Sequence, residues 1–135
     1  MTTEMVKQGQ TFEGIAQGQF WASFSPDTVE QQKMLFNGMN NPTSQLSDVV
    51  DKTINLVDVF VEWVQLDESD EVSPRIVLFD DEGNSYVATS KGILIALNRA
   101  FLVFGEPKTW AKPLPITIRK VKVARGHMLT FDAAL

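Results

Sequence analysis

A mainly β fold, a five-stranded OB-fold barrel with a partly helical N-terminal extension, is predicted by three features of this 135-residue chain. The first is the order of patterned segments after residue 53: strand, strand, strand, helix, strand, strand, with the helix placed to plug a barrel between its third and fourth strands. The second is the placing of turn residues, which joins the second strand to the third, and the fourth to the fifth, as hairpins. The third is bulk composition: 44% hydrophobic and 21% charged residues suffice for one core and leave no case for wholesale disorder. Residues 1–11 are expected to form a mobile arm and residues 12–135 a single domain, with 12–52 as the extension and 53–132 as the barrel.

Each element has a local reason. The first eleven residues are polar and unpatterned, as a mobile arm would be. "FWASF" suits a short strand. "SPDTVEQQKMLFNGM" suits a helix with Ser25 as N-cap, Pro26 at its first position, and Asp27 and Glu30 at the positive end of the dipole. Val29, Lys33 and Phe36 fall on one side of it, and Gly38 with "NNP" ends it. A second helical turn fits "SQLSDVV", capped by Ser44 or Ser47.

"TINLVDVFVEWVQL" is the long first barrel strand, in which Val57, Val59, Val61 and Trp63 face a core and alternate with Asp58, Phe60, Glu62 and Val64. An acidic loop, "DESDEVSP", follows, with Pro74 blocking further pairing. "RIVLFDDEGNSYVATS" is a hairpin turning at "DDEGN", where Gly83 and Asn84 accept positive φ. "SKGILIALNRAFLVFG" places Ile93, Leu97, Ala100, Leu102 and Phe104 near helical spacing, with Ser90 as cap and Gly105 as stop. After the proline-punctuated "EPKTWAKPLP", the segment "ITIRKVKVARGHMLTF" divides at Arg125 and Gly126 into the closing hairpin.

Charge is distributed unevenly. The net charge is -5, yet residues 1–90 carry four cations against fifteen acids, a net of -11, and residues 91–135 carry eight against two, a net of +6. Such asymmetry suggests an anionic partner for the basic part. No apolar run approaches the ~20 residues of a membrane span, and the N-terminus lacks the pattern of a signal peptide, so a cytoplasmic protein without membrane contact is expected. The absence of cysteine removes disulfides, thiolate metal sites and thiol nucleophiles. The one histidine, His127, has no serine or carboxylate partner placed by motif and reads as solvated or phosphate-adjacent; phosphate-loop, dinucleotide and zinc spacings are missing, so neither catalysis nor a cofactor is expected.

Residues 34–132, through "LFNGMNNP", "RIVLFDDEGNSY", "SKGILIALNRAFLVFGEPKTWAKPLPI" and "MLTF", resemble the small single-stranded DNA-binding proteins encoded by phages and mobile elements of Gram-positive bacteria. That family carries an LFNAxN-like stretch, an RIVLxDxxG hairpin, an SKG helix start and an FGxPxTW loop; Gly38 stands here where the pattern has alanine. The resemblance implies an OB fold, little sequence preference, and single-strand binding during phage replication, with replication proteins as further partners.

Single-strand binding needs cations along the phosphates and rings on which bases stack. In the fourth barrel strand Ile116 and Ile118 share a face, whereas Val121 and Val123 take the apolar role further on; this change of parity suggests a β-bulge near Arg119. Lys120 and Lys122 then point together, near Arg119 and Arg125, as a phosphate track to which Lys91 adds. The alternative is an edge strand defended by lysines against aggregation. Phe60 and Tyr86 are candidate stacking platforms on the sheet face, and Trp110 either caps the helix end or meets a base. Trp63 belongs to the core, Trp21 and Phe24 cover the barrel, and Asp80, Asp81 and Glu82 form a solvated turn rather than a metal site. The rival function is an acidic protein-interaction module of phage replication or host takeover that does not bind DNA.

Overall fold

The computed structural model describes residues 20–65 and 72–134. The expected arm at 1–11 and the acidic run at 67–71 lie outside these residues. The elements are β1 (Phe20–Ala22), α1 (Val29–Asn40), β2 (Ser44–Gln45), β3 (Thr53–Gln65), β4 (Val72–Asp80), β5 (Ser85–Thr89), α2 (Lys91–Phe104), β6 (Leu114–Val123) and β7 (Gly126–Ala133). One curled sheet runs β2-β5-β4-β3-β6-β7, antiparallel except for β2 with β5. Strand β3 organises it: β4 lies along one edge, while the other edge takes β6 at Thr53–Leu56 and then β1 at Phe60–Glu62. None of the described helices is long and apolar enough to cross a membrane.

The sheet buries both faces. On one side Val59 and Val61 of β3, Ile76 and Leu78 of β4, and Ile116 and Ile118 of β6 close on Ile93 and Leu97 of α2. On the other, Phe60, Val77, Phe79 and Val87 are covered by Ala22 and Leu35, the latter from α1. Each fully buried aliphatic or aromatic side chain contributes roughly 1.5 to 3 kcal/mol. Two covered faces explain why β3 reads as a nearly continuous apolar run instead of alternating cleanly.

The register of β3 slips between Leu56 and Asp58 against β4. This bulge reverses parity, so Ile54 and Leu56 share a core with Val59 and Val61, while Val57 packs against the cluster on the other side. The expected grouping of Val57 with Val59 is therefore corrected. Helix α1 also starts later than Ser25: Thr28 is its N-cap, accepting from the Gln31 N–H while the Gln31 side chain accepts from the Thr28 N–H, a reciprocal capping box. Its buried side holds Leu35 and Gly38, leaving Val29, Lys33 and Phe36 exposed. Gly38 has a steric reason, since a Cβ there would lie 2.6 Å from ring carbons of Phe79. The following turn, Leu46–Val49, is a 3-10 helix with no side-chain cap, so neither Ser44 nor Ser47 plays that role.

Pro74 does not block pairing; it sits inside β4 opposite Trp63, beyond Arg75, where the pairing of β4 with β5 ends. A strand with no neighbour on one side tolerates the missing N–H. At the β4–β5 turn only Gly83 takes positive φ, at 85°, and Asn84 does not.

Asp80 holds that turn. Its Oδ1 accepts from the Glu82 and Asn84 N–H groups, and its Oδ2 accepts from the Asn84 amide and the Tyr86 hydroxyl. Burial alone would raise its carboxyl pKa, but these bonds to Asn84, Tyr86 and Glu82 outweigh it and hold the group below its ordinary 3.8. Burial, the bond to Asp80, and the Asp80 and Glu82 charges push the Tyr86 hydroxyl up to about 12. A depressed carboxyl stabilises the fold above its unfolded value, and that contribution disappears as pH falls through the folded value. Asp80→Asn should therefore lose about 1 to 3 kcal/mol at pH 7 and show a shallower fall in stability below pH 4, measured by urea unfolding across pH.

Candidate nucleic-acid interface

Beyond Thr117, β6 leaves β3 and continues with β7 as a two-stranded arm. Its register is unbroken from Ile116 opposite Ala133 to Val123 opposite Gly126, so the expected bulge near Arg119 is absent. The apparent change of parity has another cause. Once β6 has no sheet beside it, neither face is obliged to be apolar, and Val121 and Val123 stand 36% and 39% exposed. Simple alternation then puts Lys120 and Lys122 on the face of Ile116 and Ile118, beside Leu129 and His127 of β7. Arg119, Val121 and Val123 take the opposite face.

The two faces differ in free charge. Arg119 Nη1 lies 3.2 Å from Asp132 Oδ2, and its Nε lies 3.8 Å from Asp51 Oδ1, so this cation is already matched by carboxylates. No carboxylate among the described residues forms an ion pair with Lys91, Lys120, Lys122 or Arg125, all of which are exposed. Arg125 occupies the turn beside Gly126, whose φ is 107°.

Lys91 is brought to the same region by the start of α2. Ser90 caps the helix by accepting from the Ile93 N–H, as expected. Gly92 is pressed against β7: a Cβ there would fall on the Leu129 carbonyl oxygen and 2.5 Å from Met128 Cγ. The SKG stretch is thus a cap, a cation and the only residue type that lets helix and strand approach so closely. Where they meet, a cleft of about 420 Å³ is lined by Ser73, Thr89, Ser90, Lys91, Gly92 and residues His127 to Leu129.

None of the three aromatic candidates joins this surface. Phe60 is completely buried in the second core cluster, its ring centroid 5.4 Å from that of Phe20. Tyr86 is 8% exposed, on the inner face with its hydroxyl spent on Asp80. Trp110 packs edge-on to Phe101 and donates its indole N–H to the Phe104 and Gly105 carbonyls, so it caps the C-terminal end of α2. Sequence alternation placed Phe60 and Tyr86 opposite to core residues or beside polar ones, but could not show that both sheet faces are covered. Phe60→Leu is accordingly expected to lower stability by about 1 to 2 kcal/mol in a denaturant melt and leave DNA affinity unchanged; a stacking ring would do the reverse.

A family model of phage single-stranded DNA-binding proteins, of the phi29 type, matches residues 14–132. The chain belongs to this family. It is a single-stranded DNA-binding protein acting in phage replication, and the acidic adaptor that does not bind DNA is set aside. No curated protein and no solved structure matches it. In this phage DNA-binding chain His127, expected to be solvated or phosphate-adjacent, lies across from Lys122 and lines the cleft with Lys91. Its signal was present: a two-residue turn at Ala124 and Arg125 fixes His127 opposite Lys122.

Proposed function

We propose that the inner face of the β6–β7 arm is the DNA-binding surface, with Lys120, Lys122, Arg125 and Lys91 following the phosphates of one strand. The observation that carries this is the set of cations without an ion pair among the described residues, gathered on and beside an exposed arm of a chain that is otherwise strongly acidic. The acidic remainder disfavours nucleic acid elsewhere, which keeps the strand on the arm. With Phe60, Tyr86 and Trp110 committed to packing, affinity rests mainly on charge. It should show little sequence preference and fall steeply with salt.

We further read the sheet order β5-β4-β3-β6-β7, with α2 between β5 and β6 along the chain, as an OB-type barrel in a single domain of residues 12–135. The support is the contact of Gly92 with β7, which brings the start of α2 from the β5 end of the sheet against the opposite edge. The protein would coat and protect single strands in the host cytoplasm without catalysis or cofactor, alongside replication proteins. The test is anisotropy of a labelled dT oligomer across salt, with duplex as competitor and a charge-reversed Lys120→Glu, Lys122→Glu chain beside the wild type. Equal binding by both chains at every salt would overturn the assignment.

A further inference from the structure

We propose that His127 is a DNA-contact residue: it meets a backbone phosphate in the cleft between β7 and the first turn of α2, and its protonation gives single-strand binding a pH dependence. This rests on the arm being the DNA surface. The placement of His127 carries it. It pairs with Lys122 across the ladder, on the same face, and lines the cleft together with Lys91. Among the described residues, the surrounding elements supply charge of one sign. From β6 come Lys122 and, one pair further in, Lys120; from α2 comes Lys91; from the turn, Arg125; and β4 and β5 contribute only the hydroxyls of Ser73 and Thr89 to the cleft. No carboxylate lines it among the described residues.

A histidine ordinarily changes charge between pH 5 and 8. A phosphate placed beside the ring favours its charged form. By linkage, binding then takes up a proton, so affinity rises as pH falls. The ligand chemistry is a phosphodiester, and each phosphate neutralised adds about one unit to the salt slope.

The experiment titrates a labelled dT oligomer, whose thymine bases do not ionise in this range, with the full chain at fixed low salt from pH 8 to 5.5. The wild type should bind about three- to tenfold more tightly at the acid end. His127→Gln should stay flat at the weaker affinity, and His127→Lys flat at the tighter one. His127 is exposed, so both should melt like the wild type. Asp58, whose carboxyl burial raises despite its bond from Ser23, is kept in both variants, so its contribution is common to all three chains. A wild-type pH profile surviving in His127→Gln would overturn the inference. If that happens while Lys120→Glu, Lys122→Glu still loses binding, the arm stands and only the role of His127 fails. If instead the charge-reversed chain binds normally, the arm itself is wrong.

Discussion

Gly92→Ala is expected to destabilise the protein by about 2 to 3 kcal/mol and weaken single-strand binding at the same time. Overpacking a well-packed contact usually costs about 1 to 3 kcal/mol, and here one of the obstructing atoms is a main-chain oxygen, that of Leu129. A side chain can rotate away, but a carbonyl moves only with its strand. The alanine must therefore push β7 off the start of α2, opening the cleft that Lys91 and His127 share. Alanine is intrinsically the better helix former by roughly 1 kcal/mol, so a purely local view forecasts stabilisation. Urea unfolding decides the sign. A Gly92→Ala chain as stable as the wild type would mean that the helix and β7 are not in close contact.

The charge-reversed pair, Lys120→Glu with Lys122→Glu, is expected to cut affinity for a dT oligomer by about 100-fold at low salt and reduce the salt slope by about two. Two phosphate partners are lost, and two carboxylates now face the strand. Both positions are exposed and make no ion pair among the described residues, so the fold should tolerate the change. Arg119→Ala provides the contrast. Its charge is matched by Asp132 and Asp51 on the other face, so affinity should change less than about threefold. Comparable losses from Arg119→Ala and the lysine pair would show that overall charge governs binding and that the face is irrelevant.

Much of this protein is legible without coordinates because the signals are local. Ser90 and Gly105 bracket α2 through a hydroxyl cap and a φ of 83°, both set by residue type. Gly126 and its neighbours make the β6–β7 turn, and the strand order from β3 onward follows from patterning and turn chemistry. The family resemblance rests on the same stretches, and the family match confirms it. Charge asymmetry likewise pointed to the C-terminal cations as the ones available for an anionic partner.

What the chain alone left undecided depends on what lies on the far side of each strand. Alternation separates the two faces of β3 but does not reveal that a second apolar cluster covers the other face, so Phe60 looked open when it is core. Nor does it reveal where a neighbouring strand ends. Once β6 runs past β3, the rule that one face must be apolar lapses, and a parity change that resembled a bulge is simply the polarity of an unsupported arm. The real bulge lies at Leu56 and Asp58 in β3, where Val57 and Asp58 are half-buried. Ion pairing is equally non-local: Arg119 and Lys120 are adjacent in sequence, yet opposite faces give one of them two carboxylates and the other none among the described residues. Residue type determined which segments turn, cap and carry charge; only the packing of strands and helices against one another decided which side chains meet the solvent, and so which can meet DNA.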